Sequence, residues 1–403
     1  MALIVKKFGG SSVADATKIK KVAQIINNRV NEGNKVVVVV SAQGNTTDEL
    51  IALAREVNPK PSAREMDMLL ATGEQISIAL LAMALDAINI PVISLTGPQV
   101  GIVTDTEHTK ARIKGIETSR IDKELNENKV VIVAGFQGRD DQNEIYTLGR
   151  GGSDTTAVAL AAALKADICE IYTDVDGIYT CDPRVVPEAS KLAEITYDEM
   201  LELASLGAKV LHPRAVELAK LYKVPLCVRS SFINKEGTFV VENLEKEIVV
   251  TGVAYDLNVA KIGLFDVPDQ PGIASKIFNT LAKAKVNVDM IVQSAMRNNL
   301  NDIAFTIPRS DLDTALELMK KTGEAMKVSD VVFDDKVAKV SIVGAGMISS
   351  PGVAAKMFDV LANEGINLEM ISTSEIKVSC IIKEEDAIKA TQVLHKAFEL
   401  DKI

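Results

Sequence analysis

The strongest constraint on the fold is an internal repeat in the C-terminal part of this 403-residue chain. The stretch "PGIASKIFNTLAKAKVNVDMIVQS", which starts at Pro271, aligns without a gap with "PGVAAKMFDVLANEGINLEMISTS", which starts at Pro351, and 11 of the 24 positions are identical. A match of this length indicates two copies of one structural unit. Each copy reads as strand, helix, strand, strand and helix, which is typical of a βαββαβ module.

The second copy lacks the closing strand of such a module, since few residues follow its last helix. The nearest spare strand in the sequence is "IVVTGVA" at 248–254, which precedes the first copy. Because an open sheet edge favours pairing, we expect 248–254 to complete the sheet of the second copy. The first copy, about 258–335, is then inserted within the second, about 336–403, in a regulatory region spanning 248–403.

The first 230 residues show a different pattern, in which short β-branched runs alternate with amphipathic stretches. The runs are "ALIVKKF", "KVVVVVSA", "PVISLT", "KVVIVAGF", "ADICEIYTD" and "PLCVRSS". Runs of this kind are typical of strands buried on both faces of a sheet, and the stretches "ATKIKKVAQIINNRV" and "EQISIALLAMALDAIN" between them predict helices. The alternation predicts an α/β domain, a mostly parallel sheet between helices, over residues 1–240.

Composition excludes several classes of protein. The net charge is −10 with both signs mixed along the chain, which argues against a nucleic-acid partner. The four cysteines are scattered without a CxxC pair, so neither a metal site nor a disulfide is expected. No uncharged apolar run approaches about 18 residues, which predicts a cytoplasmic protein without a membrane span.

The opening stretch "LIVKKFGGSSVADATK" combines a strand, a glycine turn and a helix. Glycines let the backbone approach an anion, and helix N-terminal amides can face it, so this arrangement is a recurrent phosphate site. Lys7 adds a positive charge at the end of the strand. An ordinary β–α turn with a lysine by chance is the alternative; neither a GxxxxGK[ST] loop nor the kinase HRD and DFG motifs occur.

Seven segments, the first of which contains the glycine turn, follow one another along the chain. They are "KKFGGSSV", "VVSAQGNTTDEL", "TGEQ", "VAGFQG", "TLGRGGSDTTA", "IYTDVDGIYTCDPR" and "GAKVLHPRA". Together they resemble the aspartate kinases of the amino acid kinase family, with Ser11 where that family often has Thr, and the C-terminal repeats resemble ACT regulatory modules. The resemblance covers essentially the whole chain. It implies an amino acid kinase fold followed by two ferredoxin-like βαββαβ ACT modules.

The activity that the resemblance implies is ATP-dependent phosphorylation of the side-chain carboxylate of L-aspartate. The product would be 4-phospho-L-aspartate, in the first step of lysine, threonine and methionine biosynthesis, and Mg²⁺ would accompany ATP. A carboxylate with a pKa near ~4 is already a nucleophile at neutral pH, so no general base is required. The protein must instead supply cations and backbone donors to bring an anion to a polyanion.

The resemblance also assigns residues to roles. Lys7 and Asp154 would be catalytic, with Asp154 orienting Lys7, the substrate amine or both. ATP would be bound by Lys7, Gly9, Gly10, Ser11, Thr173, Asp174, Tyr179, Arg184 and Lys209. Aspartate would be bound by Ser41, Thr47, Glu74, Arg150, Gly151, Gly152, Ser153 and Asp154, since Arg offers a carboxylate a two-pronged donor and Glu74 would hold the α-ammonium.

Simpler interpretations exist for three of these positions. Asp154 could form a surface salt bridge, and Glu74 could be a carboxylate near a helix N-terminus that favours the helix dipole. We expect His212 to be a hydrogen-bonded structural residue and not a catalyst.

For the regulatory region the resemblance implies control by lysine and/or threonine. A Pro-Gly turn opens a helix in each copy, and the helix N-terminus could receive the carboxylate of an amino acid. The candidate effector residues are Asp269, Gly272, Ile273, Ala274 and Gln293 in the first copy and Asn367 facing them from the second. A copy with only a structural role is the alternative. Pairing of such modules between chains predicts a homo-oligomer, a dimer or larger.

Two other functions remain as alternatives. Another amino acid kinase, acting on glutamate or on an acetylated amino acid, is disfavoured by the ACT-type repeat and by "VVSAQGNTTDEL". An amino-acid-sensing regulator with an inactive kinase fold would be favoured if Lys7, Glu74, Arg150 or Asp154 were missing, and all four are present.

Overall fold

The computed structural model describes residues 1–207, 210–244, 248–295 and 298–403. The chain divides into two compact units, and each unit is built from more than one segment of the sequence. The N-terminal unit comprises Met1–Ile178, Lys191–Ser205 and the described residues 210–244, and the C-terminal unit comprises Tyr179–Ser190, residues 206–207 and the described residues from 248 onward.

The N-terminal unit contains two sheets and seven α-helices among its described residues. Its strands are β1 (Leu3–Phe8), β2 (Lys35–Val40), β3 (Val92–Leu95), β4 (Ile102–Thr104), β5 (Ile113–Ile116), β6 (Val130–Ala134), β7 (Gln137–Arg139), β8 (Ile145–Thr147), β9 (Ile168–Thr173), β10 (Glu194–Thr196), β11 (Leu226–Ser230) and β12 (Thr238–Val241). Its helices are α1 (Ala16–Asn31), α2 (Thr46–Val57), α3 (Ala63–Asp86), α4 (Ser119–Asn126), α5 (Gly152–Leu164), α6 (Tyr197–Ser205) and α7 (Pro213–Tyr222).

The main sheet has eight strands in the order β10-β12-β11-β9-β1-β2-β6-β3. Every neighbouring pair is parallel except β11 and β12. All six strands predicted from the β-branched runs belong to it, because a sheet covered on both faces requires continuous apolar segments. The predicted mostly parallel α/β fold is therefore confirmed.

Helices α1 and α3 cover one face of this sheet. Their apolar side chains form one buried cluster with β1, β2 and β6 that includes Ile19, Val22, Ile78, Leu81 and Leu85. Helix α1 has the predicted extent, whereas α3 begins at Ala63, well before the predicted start at Glu74. Ser62 caps α3 by accepting a hydrogen bond from the backbone N–H of Glu65 at 3.4 Å.

A second sheet of four short strands, in the order β5-β4-β7-β8, was not predicted. Strands of three or four residues give too short an alternation to stand out in a sequence. The sheet matters because β8 leads directly into the loop that carries Arg150.

The C-terminal unit contains a six-stranded sheet and four α-helices among its described residues. Its strands are β13 (Gly252–Pro268), β14 (Ile291–Gln293), β15 (Leu300–Ile307), β16 (Asp330–Val343), β17 (Met370–Thr373) and β18 (Lys377–Lys383), and its helices are α8 (Ile273–Lys283), α9 (Leu312–Met326), α10 (Val353–Asn363) and α11 (Ala387–Ala397). The sheet order β14-β15-β13-β16-β18-β17 places two strands on each side of a central β13–β16 pair.

The predicted insertion of one module in the other is present. Gly252, Val253 and Ala254 pair antiparallel with Val343, Ile342 and Ser341 of the second copy, while residues 248–251 precede the strand. The prediction was wrong in treating this strand as separate, because β13 continues without interruption into the first copy. Strand β16 likewise belongs to both copies, and register shifts at Asp256–Lys261 let the long ladder bend.

The segment Tyr179–Ser190 belongs to the C-terminal unit through the contacts of Thr180. The hydroxyl of Thr180 lies 2.9 Å from Nε2 of the buried His395, and the Thr180 carbonyl accepts a hydrogen bond from the N–H of Val253 at 2.8 Å. Gln392 also donates to the carbonyl of Val185 at 2.9 Å. Part of the predicted N-terminal domain is therefore built into the unit that holds the repeats.

Within the described part of the chain, α3 is the one helix that length and composition would allow to cross a membrane. Its buried face carries Asp67 and Glu74 and packs inside the N-terminal unit.

Candidate active site

Most predicted site residues lie at one edge of the main sheet. Strands β9, β1, β2 and β6 are parallel neighbours, so their C-terminal ends meet at that edge. In open α/β sheets, ligands bind outside these strand ends. The loops that follow β9, β1 and β2 carry the predicted nucleotide, phosphate and substrate segments.

The glycine turn after β1 interlocks with the loop after β2. The N–H of Gly44 donates to the carbonyl of Gly10 at 3.0 Å, and a Cβ on Gly10 would lie 2.6 Å from the carbonyl oxygen of Ala42. No side chain fits there, which explains the second glycine of the turn.

Helix α1 does not offer its N-terminus to an anion as expected. Residues Gly10–Val13 form a 3-10 turn, and α1 begins only at Ala16. The Asp15 side chain caps it by accepting from the N–H of Lys18 at 2.9 Å, so a carboxylate already occupies this helix end. Helix α5 instead has Gly151 as its N-cap and therefore no side-chain cap, and Asp154 in its first turn pairs with Lys7.

Lys7 and Asp154 form an ion pair, with Nζ of Lys7 2.7 Å from Oδ1 of Asp154. Each side chain is only 12% exposed, so the alternative of a surface salt bridge is wrong for Asp154. Lys7 is the penultimate residue of β1, and Asp154 lies in the first turn of α5. Oδ1 of Asp154 is buried and faces the Lys7 ammonium.

Glu74 is a buried carboxylate with one free oxygen. Its Oε1 accepts from the N–H of Ala42 at 3.1 Å, while Oε2 has no hydrogen-bond partner among the described residues. Burial raises the pKa of Glu74 to about 7, and the Ala42 hydrogen bond opposes part of that rise. The alternative that Glu74 serves a helix N-terminus is wrong, since the residue lies inside α3.

The Arg150 loop runs from Leu148 to Gly151 between β8 and α5. Arg150 is exposed, and no ion pair is found for it in the described ranges. Gly151 has φ 71°, and a Cβ there would lie 2.1 Å from Cγ of His212. Arg214 donates from Nη1 to the carbonyl of Leu148 at 3.2 Å. The start of α7 therefore holds this loop from one side.

His212 is hydrogen-bonded at the start of α7, as predicted. Its Nδ1 caps α7 by accepting from the N–H of Arg214 at 3.3 Å, and burial lowers the pKa of the imidazole. Sequence reasoning missed Arg214, although the Pro213 that precedes it in "HPRA" is a helix-start signal.

The remaining predicted substrate residues surround these groups. Ser41 and Thr47 are half-buried in the loop after β2 and at the start of α2, and Ser153 is buried beside Asp154. A Cβ on Gly135 would lie 2.7 Å from Oγ of Ser153, so Gly135 allows α5 to approach β6. Ser11 is exposed, while the neighbouring Ser12 is buried and its hydroxyl lies 2.6 Å from that of Ser231.

The predicted nucleotide residues are divided between the two units. Thr173 ends β9 and its hydroxyl donates to Asp174 at 3.0 Å in the N-terminal unit. Tyr179 and Arg184 lie in the C-terminal unit, where Arg184 pairs with Asp182 at 2.7 Å. Lys209 lies outside the described residues.

The predicted effector residues lie in the C-terminal unit at the start of α8 and near two edge strands. Gly272 has φ 92°, and a Cβ on it would meet no heavy atom of the described residues within 4 Å, whereas Ile273 is buried. Asp269 accepts from Nδ2 of Asn301 at 3.0 Å. Ala274, Gln293 and Asn367 are exposed.

Comparison with known proteins places these features in a family. The family model of the amino acid kinase family matches residues 2–230, and an ACT domain model matches residues 266–322 and 340–398. An aspartokinase of Bacillus sp. (strain MGA3) is 54% identical over 402 residues, covering 99% of this chain and 98% of the relative.

Two solved structures of E. coli aspartokinase III are similar over the full length. The complex with aspartate and ADP, in the R-state, has 28% identity and a TM-score of 0.85, covering 98% of this chain and 99% of that one. The complex with lysine and aspartate, in the T-state, has 27% identity and a TM-score of 0.76 over 98% and 99% of the two chains. The chain therefore belongs to the aspartokinases of the amino acid kinase family, with ACT domains in its C-terminal unit.

Proposed function

We propose that this chain transfers the γ-phosphoryl group of ATP to the side-chain carboxylate of L-aspartate and forms 4-phospho-L-aspartate. The reaction would be the first step of lysine, threonine and methionine biosynthesis. The observation that carries the proposal is the partly buried Lys7–Asp154 ion pair, located where the glycine turn and the start of α5 meet. Support also comes from the E. coli relative solved with aspartate and ADP.

Aspartate would be held at both of its charged ends. Arg150 would bind a carboxylate with its planar pair of donors. Glu74 would receive the α-ammonium on Oε2, the oxygen that lacks a partner within the described residues. Ser41, Thr47, Gly151, Gly152 and Ser153 would add hydroxyl and backbone contacts around the substrate.

Phosphoryl transfer would proceed without a base. A side-chain carboxylate oxygen attacks the γ-phosphorus, a new O–P bond forms, and the bond to the bridging oxygen of ADP breaks. No proton moves, because the carboxylate is already ionised. Lys7 would stabilise the charge on the transferred group, Asp154 would orient the Lys7 ammonium, and Mg²⁺ would enter bound to the phosphates of ATP.

The nucleotide would lie on the glycine turn and the segment after β9. Gly9, Gly10 and Ser11 would contact the phosphates, and Thr173, Asp174, Tyr179, Arg184 and Lys209 would contact the rest of ATP. The close approach of Gly10 to Ala42 supports this placement, since it leaves bare backbone at the end of β1.

Trapping with hydroxylamine tests the activity. With ATP, Mg²⁺ and L-aspartate, the purified full chain should accumulate aspartyl hydroxamate, while glutamate and N-acetylated amino acids should give none. Hydroxamate from glutamate but not from aspartate would assign another amino acid kinase activity. Nucleotide and lysine binding without any hydroxamate would assign the amino-acid-sensing regulator with an inactive kinase fold.

The C-terminal unit would bind end products of the pathway. Lysine is supported by the E. coli relative solved with lysine and aspartate, and threonine is proposed from the family resemblance. Asp269, Gly272, Ile273, Ala274, Gln293 and Asn367 would form effector sites where ACT modules of two chains meet. The protein would then be a cytoplasmic homo-oligomer, a dimer or larger.

Titration of lysine and threonine, singly and together, tests this regulation. Inhibition of the hydroxamate assay by either amino acid, weakened by Asp269→Ala, would support the proposed sites. Light scattering after size exclusion would give the oligomeric state, and a monomer would contradict pairing through the ACT modules.

A further inference from the structure

Asp67 is a fully buried carboxylate that the proposed chemistry does not use. It lies on α3, two turns before Glu74 and on the same buried face. Three donors converge on it: Nδ1 of His108 at 2.6 Å, the N–H of Thr109 at 3.1 Å and the hydroxyl of Thr147 at 2.5 Å.

All three donors belong to segments that border the Arg150 loop. Thr147 ends β8, and the next residue, Leu148, begins the loop. The carbonyl of Thr147 accepts from the N–H of Ala111 at 3.0 Å, so Thr147 is fixed through both its side chain and its backbone. The ring of His108 stacks on Tyr146 with centroids 4.3 Å apart.

Thr109 contacts the Arg150 loop through its backbone. It holds φ 65°, an uncommon conformation for a β-branched residue, and its N–H bond to Asp67 stabilises it there. Its carbonyl oxygen would lie 3.0 Å from a Cβ on Gly149, so the Thr109 backbone packs directly against the loop. A change at Asp67 therefore affects the loop by two routes. Thr109 transmits it to Gly149, and Thr147 transmits it to Leu148.

The backbone of the loop determines where Arg150 points. Gly149 and Gly151 hold φ 75° and 71°, on either side of Arg150. Since Arg150 has no ion pair in the parts of the chain that the structure describes, its neighbours along the backbone are what orient it.

We propose that Asp67 is a positioning residue for aspartate binding. Through Thr147 and Thr109 it fixes the Leu148–Gly151 loop, and so sets the distance between the Arg150 guanidinium and the Glu74 carboxylate that α3 also carries. One helix thereby fixes both ends of the substrate site. The inference rests on the roles proposed for Arg150 and Glu74.

An amide would replace this carboxylate in part, because its oxygen can accept from Thr109 and Thr147 while its NH₂ donates to Nδ1 of His108 in the other tautomer of the ring. Asp67→Ala instead removes all three contacts at once. We expect the KM for aspartate to rise about tenfold or more, with the KM for ATP within about twofold of wild type.

Asp140 provides a matched control. It also accepts several hydrogen bonds at the edge of the small sheet, from the N–H groups of Gln142 and Glu144 at 2.9 and 3.0 Å and from the hydroxyl of Tyr146 at 3.2 Å. It has no bond to the Arg150 loop among those contacts. Asp140→Ala should lower thermal stability and leave the KM for aspartate unchanged.

Thr147 gives a second test that does not alter the charge. Thr147→Val removes the hydroxyl that donates to Asp67 and should raise the KM for aspartate, whereas Thr147→Ser keeps the hydroxyl and should restore the wild-type value. Equal behaviour of the two variants would overturn the proposal.

The decisive experiment is a double-mutant cycle of Asp67→Ala with Arg150→Ala in the hydroxamate assay. If Asp67 acts through Arg150, then Asp67→Ala should change the KM for aspartate by no more than about twofold once Arg150 is gone. The same large effect in both backgrounds would overturn positioning. Failure of Arg150→Ala itself to raise the KM would instead contradict the proposed function of the site.

Discussion

Lys339 of the second repeat forms an ion pair with Asp289 of the first. The counterpart pair joins Lys261 of the first repeat to Glu369 of the second. Asp289 and Glu369 occupy the same position of the aligned repeat, and both lysines lie in a "VAK" strand. The two modules are therefore joined by reciprocal ion pairs across the β13–β16 ladder.

The two partners of the Lys339–Asp289 pair differ in burial, with side chains 4% and 44% exposed. Asp289→Asn would leave the buried Lys339 ammonium without its carboxylate, and should lower the local unfolding free energy by about 1–2 kcal/mol. Hydrogen exchange of the β16 amides in the full chain measures this. Glu317→Gln, which breaks the exposed Lys321–Glu317 pair on α9, is the control and should leave exchange unchanged. Identical exchange in both variants would contradict the expectation.

Lys7→Ala should lower kcat by about 10²–10³, because the charge that develops on the transferred phosphoryl group would lose its nearest cation. The KM for aspartate should change little. Lys6→Met is the control on the same strand: Lys6 points to the opposite face, where its Nζ lies 2.6 Å from Glu170. That variant should change stability but not kcat. A kcat for Lys7→Ala within tenfold of wild type would remove Lys7 from the catalytic site.

The raised pKa of Glu74 predicts a pH dependence of aspartate binding. Below about pH 7 the carboxyl is mostly protonated and cannot pair with the α-ammonium, so kcat/KM for aspartate should rise with pH and level off above the pKa. Glu74→Gln should lower kcat/KM and abolish this limb. An unchanged profile in Glu74→Gln would show that another group titrates.

The raised pKa of Glu74 also predicts how the stability of the fold depends on pH. The folded pKa of Glu74 lies above the value of about 4.3 in the unfolded chain, so the folded state binds this proton more tightly. The stability it contributes is fully present below about pH 4 and is lost as the pH rises through 7. Glu74→Gln should remove that component from the pH dependence of unfolding by urea. In wild type, saturating aspartate should weaken the same pH dependence, because its α-ammonium favours the ionised form of Glu74.

Gly151→Ala and Gly33→Ala separate backbone strain from steric exclusion. Both glycines have a positive φ, 71° and 81°, but only Gly151 is packed against His212, whereas a Cβ on Gly33 would meet no described atom within 4 Å. Gly33→Ala should cost about 1 kcal/mol of stability and leave activity intact. Gly151→Ala should cost more and should also raise the KM for aspartate, since the loop must shift. Equal KM values in the two variants would show that the contact with His212 does not hold the loop.

The repeat made the C-terminal unit predictable, but not its longest strands. Residues 255–258 include the polar Asp256 and Asn258 between two apolar runs, and so read as a break in the sequence. The backbone nevertheless continues through them, because the β16 ladder supplies partners on both sides of the register shift. Tertiary pairing, and not local pattern, decides such cases.

The residues of the candidate site could also be predicted only in part. The segments "KKFGGSSV" and "GRGGSD" pointed to Lys7 and Asp154, and the structure brings these two side chains together. Asp67 was missed, although an acid seven residues before Glu74 on an apolar helix face was a usable signal. The place of Tyr179–Ser190 in the C-terminal unit could not be predicted, because Thr180 and His395 are 215 positions apart and no sequence pattern links them.

The continuity of β13 and β16 has a consequence for recombination and for engineering. Each of these two strands begins in one module and finishes in the other, so neither module has a boundary at which it could be cut out and exchanged. A transplant of this region onto another enzyme must therefore carry both modules as an indivisible pair.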